Sequence, residues 1–419
     1  MKTYASKRWL IIVLLLASAM LVAEVSAISP PTVEWQKTFT YGEAETACAI
    51  QTMDGGYALG GTVELQQGTT CYFMKVDSSG NMQWNTTLGD MIGIVSAAVQ
   101  TNNSEYALTG EHYGAIFLVK LDASGNIILN KTYTGMGDDF ASSIFATSDG
   151  GYVLAGTMNA WTGAHLPSHP WLIRTDANGN VVWSQTYGTG DLQASTQTDD
   201  GGYAFLTTTF MGGVTLAKIA ASGQMLWNQT YPHLQYLAGF YSLVQASDGG
   251  YAIATSVTIN GSSHNGFWLA KTDDLGNMQW NRTYTGPGND TNNQDLIRTG
   301  DEGYAMIGNT NMNSASPYAG GVRIWVQKTD VNGTPQWSQT YGGPNDMGSV
   351  IIQTKDGGYV LAGGNGFMYI AKLSSSQTST FGAYIYVVVV AIVAVIVIMV
   401  IAFTIFLKRK RAQKHKEIL

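Results

Sequence analysis

The chain has 419 residues, of which only 12% are charged and 49 are glycine, with a formal net charge of −7. No long amphipathic helical pattern is present, and short Val/Ile/Tyr/Trp-rich runs alternate with Gly/Asn/Asp clusters, the composition of an all-β protein. Between its two apolar ends the chain carries 13 Lys and Arg against 27 Asp and Glu, a net near −14, which argues against nucleic acid as a partner.

At the N-terminus, Lys2, Lys7 and Arg8 precede an apolar run over residues 9–23 and the small-residue site Val25-Ser26-Ala27. Residues 1–27 therefore read as a signal peptide. Next comes Glu34-Trp35-Gln36-Lys37-Thr38-Phe39, which matches the segments that later close each repeat: QWNTTL at Gln83, VWSQTY at Val182, LWNQTY at Leu226, QWNRTY at Gln279 and QWSQTY at Gln336.

A pattern then returns about every fifty residues. Tyr57, Tyr106, Tyr152, Tyr203, Tyr251, Tyr304 and Tyr359 each follow a turn-like run and open a short apolar strand. A variable loop follows, then a third strand with Lys or Arg, a DxxGN-like turn and a strand that usually begins with Trp; Leu129 stands in for Trp once. The last repeat ends at Lys372-Leu373 without that fourth strand, whereas Trp35 lies in one with no repeat before it. A linear array has no reason to divide a unit between its ends, and a ring does. Residues 28–373 are thus expected to form a seven-bladed β-propeller with four-stranded blades, closed by the N-terminal strand, with Trp35 as the closing residue.

Strand direction sorts the loops. The DGGY and DxxGN turns share one uniform face; the second-to-third loops and the blade-to-blade crossovers share the other, where 159–170, 258–266 and 309–321 are the longest insertions. Binding on a rigid scaffold concentrates in such loops. Trp161, His165, His169, Trp171, His264 and Tyr318 are the candidate binding residues there. His165 and His169 have metal-like spacing, but Pro167 and Pro170 keep the segment from being a helix, so no metal is expected and the aromatic residues favour carbohydrate or protein contact. Asp90, Asp139, Asp191, Asp290 and Asp346 sit in crossovers nearest the channel mouth; capping of the turn backbone is the default reading for them, and a cation or sugar site the alternative.

No cofactor is expected. Ca2+ is the one ion that carboxylate-rich turns suit, yet Asp followed by Gly is ordinary hairpin chemistry. The seven third-strand cations could ring an anion, or each could pair with a turn carboxylate such as Asp54, Asp149 or Asp356. Cys48 and Cys71 fall on strands two apart in one blade, roughly 9.5 Å by strand spacing, so free thiols are expected. Asn85, Asn130, Asn228 and Asn281 share one sequon position on the outermost strand and are candidate glycosylation sites.

A Ser/Thr-rich stalk, 374–382, leads to residues 383–407, which lack any charge and are long enough to cross a bilayer as a helix. The basic tail 408–419 follows, placing the C-terminus in the cytoplasm and the propeller outside.

DGGYxLAGT followed by K-x-D-x-x-G-N-x-x-W resembles the repeats of uncharacterised archaeal and bacterial cell-surface β-propellers, over residues 34–373. The block from Arg174 to Trp183 is also similar to repeats of quinoprotein propellers and of outer-membrane assembly scaffold propellers. The resemblance implies the propeller fold with a signal peptide and a C-terminal anchor; the variable outward face leads to the expectation of a membrane-anchored surface module binding envelope proteins, neighbouring cells or glycans. An extracellular enzyme, either a quinoprotein-like oxidoreductase or a glycan-active hydrolase, and a purely structural envelope element are the alternatives. No catalytic motif is present.

Overall fold

The computed structural model describes residues 28–40, 42–65, 68–88, 93–135, 137–159, 167–208, 213–231, 240–259, 265–288, 291–311, 321–378, 405–407 and 409–410. Pro31–Ser375 form one compact unit, and the two chain ends form a second. In the second, Ile28–Ser29 pairs antiparallel with Gln377–Thr378 and residues 405–407 are helical. The rest of the expected span 383–407 lies outside the described residues, among which no helix is long and apolar enough to cross a membrane.

The larger unit is a seven-bladed propeller of four-stranded antiparallel sheets. Blade 1 runs outward through Glu43–Gln51, Tyr57–Leu65, Gly68–Val76 and Met82–Thr87. The inner strands of blades 2 to 7 are Gly93–Gln100, Phe140–Ala146, Asp191–Gln197, Ser242–Gln245, Thr291–Arg298 and Gly348–Gln353. They meet in cyclic order, with that of blade 7 against that of blade 1. Blade 7 takes its outermost strand, Val33–Phe39, from the N-terminus, so the split repeat is joined across the ring as its sequence requires.

The local chemistry explains why the repeat folds this way. The Tyr that opens each second strand is buried in all seven blades and packs in the apolar layer between neighbouring blades. Its preceding turn is closed by a Thr or Ala carbonyl and by an Asp or Asn side chain; Asp54 Oδ1, for instance, accepts the Gly56 N–H at 3.1 Å. In the DxxGN turn, Asp77 Oδ1 accepts from the Ser79 and Asn81 N–H groups at 2.9 and 2.8 Å. Gly80 there has φ +77°, and a Cβ on it would fall 2.6 Å from the Trp35 ring of blade 7, so only glycine suits the turn.

The outermost strand of one blade clasps this turn in the next. Trp35 Nε1 donates to the Ser78 carbonyl at 3.1 Å, and Trp84 Nε1 to Ala123 at 3.2 Å. Tyr133, Tyr187, Tyr231 and Tyr284 donate their hydroxyls to the turn carbonyls of Gly179, Gly223, Gly276 and Gly333 at 2.6 to 2.7 Å. At the ring seam the turn is replaced by the chain ends. Tyr341 donates to Pro31 instead, and the Trp337 indole N–H is left buried without a partner among the described residues.

The third-strand cations have the structural role. Lys75, Lys120, Arg174, Lys218, Lys271, Lys328 and Lys372 pair with Asp54, Glu105, Asp149, Asp200, Asp248, Asp301 and Asp356 of the same blade at 2.5 to 3.1 Å. Cys48 and Cys71 are buried free thiols, and burial pushes each up to about 12.

Candidate binding face and channel

Six of the seven inner strands carry a β-bulge, at residues 47, 96, 142, 193, 294 and 349. A bulge takes a backbone N–H out of its ladder. The preceding blade supplies an acceptor from its second strand: Thr157 for the Leu192 N–H at 2.9 Å, Ser256 for Asn293 at 2.8 Å and Asn309 for Gly348 at 2.8 Å. The inner ring is therefore held by side chain to backbone bonds between blades. At its uniform end, Gln51, Gln100, Gln245 and Gln353 accept from the N–H groups of Lys355, Met53, Asp199 and Gly300 of the preceding blade at 2.7 to 3.0 Å.

One residue beyond the bulge of blade 6 stands Asp295. Its Oδ1 accepts the Leu296 N–H at 2.8 Å and its Oδ2 the Ile351 N–H of blade 7 at 3.1 Å. It is in no ion pair among the described residues, and burial, only partly offset by those two donors, pushes its pKa up to about 7. The sequence reading missed this residue. Aligned by register, the position holds Cys48, Ala97, Ser143, Ala194, Ser242 and Val350 in the other blades, so a lone carboxylate in a small or apolar column was the available signal.

Of the crossover carboxylates, Asp139 is fully buried and accepts the backbone N–H groups of Gly135 and, at 3.1 Å, of Asn159. It is a cap inside the fold and corrects the expectation of a channel-mouth ligand; burial raises its pKa despite those bonds. Asp346 likewise caps its crossover turn, accepting from Gly343 at 2.6 Å. Asp191 begins the inner strand of blade 4, and its Oδ1 is buried without a partner among the described residues. Asp90 and Asp290 lie outside the described residues, as do Trp161, His165, His264 and Tyr318.

Trp171 is not a loop residue. It lies in the third strand of blade 3, is 5% exposed, and donates its indole N–H to Ser184 Oγ at 2.7 Å. The pairing of the second and third strands runs back through Pro170 to His169, and this ladder carries Trp171 into the core. His169 is at the strand's start, its Nδ1 bonded to the Gly188 carbonyl. Asn130, Asn228 and Asn281 are exposed on outermost strands, and Asn85 is half-buried there; the side-chain amides of Asn85, Asn228 and Asn281 lie 3.0 to 3.5 Å from Met82, Met225 and Met278 sulfurs.

The described part of the variable face is strongly acidic. Glu43 and Glu45 on the inner strand of blade 1, and Glu64 on its second, line a groove of about 470 Å³ with Thr62, Thr69 and Asn365 of blade 7. Glu111 and Asp138 extend the charge over blades 2 and 3, beside Tyr113, which is 72% exposed at the tip of its turn. Against these stands Arg323, already donating to the Gly342 carbonyl at 2.9 Å.

No family model matches this chain, and no curated protein does. Solved structures do. The chain is similar to the Dos1 propeller (12% identity, covering 82% of this chain and 95% of that one, TM-score 0.51) and to YCF48 bound to D1 peptide (12%, 82% and 99%, TM-score 0.52). Sqt1 from Chaetomium thermophilum matches at 10% identity over 83% of this chain and 100% of that one, with a TM-score of 0.50. At these identities the likeness establishes the propeller fold, a scaffold commonly used for protein interaction, and nothing finer.

Proposed function

We propose that this chain is a cell-surface interaction module, held to a membrane by residues 383–407, whose variable face binds a cationic segment of another envelope or neighbouring-cell protein. The observation that carries the reading is the charge of that face: Glu43, Glu45, Glu64, Glu111 and Asp138 lie on it, against the already engaged Arg323 among its described residues. A field of one sign on a rigid scaffold steers an oppositely charged partner and repels others. It favours a basic peptide over a neutral glycan and over nucleic acid. That a propeller of this fold, YCF48, was solved with a peptide supports the scaffold's suitability. Of the crossover carboxylates that a glycan-active hydrolase would draw on, Asp139 and Asp346 already serve as backbone caps. The resemblance to archaeal and bacterial surface propellers fits an anchored ectodomain with glycans at the rim.

The test is capture of partners by cross-linking on intact cells, comparing wild type with the triple variant Glu43→Gln, Glu45→Gln, Glu64→Gln. We expect a lysine- or arginine-rich partner that is lost in the variant and weakened by added salt. Retention of the same partner at undiminished yield would overturn the reading.

A further inference from the structure

Among the described residues of the propeller unit, fifteen large apolar side chains are exposed, and twelve of them lie at its uniform end. The outermost strands of blades 1 to 6 follow the DxxGN-like turns, and that of blade 7 enters at the same end, so the first residue of each stands at the perimeter of that end. Six blades begin the strand with an exposed apolar side chain: Met82, Ile127, Val181, Met225, Met278 and, in blade 7, Val33. Blade 6 begins with Pro335 and exposes Val331 in its turn, as blade 5 exposes Leu275; Met53 is exposed in the first turn of blade 1. On the variable side the exposed ones are Leu65, Tyr113 and Phe240. Single exposed apolar residues are ordinary, whereas a ring of them around one end of a molecule marks a contact.

The fold does not require all of these side chains to be apolar. The second residue of each outermost strand is a β-bulge; in blades 1, 5 and 6 it is a Gln that accepts from the third-strand lysine at 2.8 to 3.2 Å, and in blade 7 Glu34 lies 3.5 Å from Lys372. Blades 2, 3 and 4 have Ile128, Val182 and Leu226 there, 49%, 61% and 53% exposed, which cannot make that bond. Three successive blades thus carry two exposed apolar residues each, in an arc on the side of the ring away from blade 7. Blade 7 is where the chain leaves. Its third strand, Met368–Leu373, runs to the uniform end, and the propeller unit ends at Ser375. Seven residues, 376–382, then precede the uncharged run 383–407. Their reach is at most about 25 Å.

We infer that the apolar perimeter of the uniform end rests on the lipid surface of the membrane that residues 383–407 cross. The inference rests on the reading of that run as an anchor. With the anchor in the bilayer, the short tether keeps blade 7 close to the surface, and the arc of blades 2 to 4 supplies a second point of attachment across the ring. A tethered surface meets the bilayer at high effective concentration, so side chains that enter only the headgroup boundary suffice to hold it. The turn carboxylates Asp77, Asp122, Asp176, Asp273 and Asp330 lie at the same end, each with its Oδ1 taken by N–H groups of its own turn. They repel anionic headgroups, so the surface that fits is a neutral one. The variable face is then turned away from the membrane, towards its partner.

The test uses the full chain reconstituted into phosphatidylcholine vesicles at no more than one chain per vesicle, so that neither another protein nor a second copy can cover the arc. Nitroxide labels are placed one at a time: Ile128→Cys, Val182→Cys and Leu226→Cys on the arc, Leu65→Cys and Tyr113→Cys on the variable side, and Ala391→Cys in the anchor. The native thiols are buried and do not interfere. Access of oxygen against that of a water-soluble nickel complex reads the depth of each label. The arc labels should be shielded from nickel several-fold relative to those on the variable side, and the anchor label most of all. Ile128→Glu with Leu226→Glu, added to Val182→Cys, should return that label to the level of the variable side while an unchanged melting curve reports an intact fold. Arc labels as open to nickel as the variable side, with Ala391→Cys shielded, would overturn the docking and leave the anchor standing. Ala391→Cys open to nickel would overturn the anchor reading and the inference that rests on it. Shielding of the arc that survives the two Glu substitutions, or that grows when anionic lipid is mixed in, would overturn apolar contact with a neutral surface.

Discussion

The first turn of each blade needs one residue with positive φ, and five blades meet the need with glycine. Blades 2 and 6 do not: Ser104 and Glu302 have φ of 65° and 64°. A side chain in that region costs about 1 kcal/mol relative to glycine. Glu302 is exposed, and none of the side-chain bonds that close its turn comes from its own side chain. Glu302→Gly should therefore stabilise the protein by about 0.5–1 kcal/mol, the gain reduced by the added freedom of glycine in the unfolded chain. A rise in the melting midpoint checks this, and a fall would show that Glu302 makes a contact that offsets its strain. Asp295 shows the opposite case, a residue whose significance rests wholly on its surroundings. Its residue type is ordinary, and its neighbours on the inner ring come from blades 6 and 7, which no local stretch of sequence brings together.

At the level of strands, the architecture was legible because the repeat carries its own turn chemistry. The Tyr, the turn Asp and the Trp recur in step, and the split repeat dictated closure. Trp35 shows how far that reading reached: it pairs opposite Lys372, packs 6.0 Å from Tyr57 of blade 1, and bonds the Ser78 carbonyl. Trp35→Ala should cost about 3 kcal/mol, less than a fully buried Trp because the ring is half-buried, and should lower the melting midpoint. An unchanged midpoint would mean that the seam is held without it, by the Thr32–Ser374 bonds and the apolar layer around Tyr57, Val360 and Met368. Placement within a loop was less legible than the fold. Trp171 looked like a loop aromatic because nothing in the stretch from Asn159 to Pro170 marks where the third strand begins; the register with the second strand decides it. The unpartnered Trp337 indole was also out of reach, since it arises from a turn that the chain ends replace.

Across the whole molecule, two sets of carboxylates set opposing dependences on pH. At Asp54, Asp200 and Asp356 burial resists ionisation, but bonds from the turn Thr and the third-strand Lys outweigh it and bring each to about 2. At Asp149 the Thr147 bond leads, with the same result. These groups are lowered in the folded state, so their stabilisation is full above the ordinary carboxylate range near 3.8 and is lost as pH falls from there towards 2. Asp295 runs the other way. With its folded value raised to about 7, the folded protein holds a proton that the unfolded chain has released, and stability falls as pH rises from about 4 to 7. The two trends together place the maximum near pH 4 to 5, below the neutral optimum that the turn carboxylates alone would allow. Asp295→Asn removes the charge and keeps an acceptor for the Ile351 N–H, but sets its amide NH2 against the Leu296 N–H, a cost that does not vary with pH. Relative to wild type, the variant should gain stability as pH rises from 4 to 7, and its own decline over that range should be smaller, with buried Asp139 still contributing. Urea melts at pH 4, 5.5 and 7 measure all three points. A variant whose deficit against wild type grows as pH rises from 4 to 7 would show instead that the folded protein favours the ionised carboxylate, and the raised value assigned to Asp295 would be overturned.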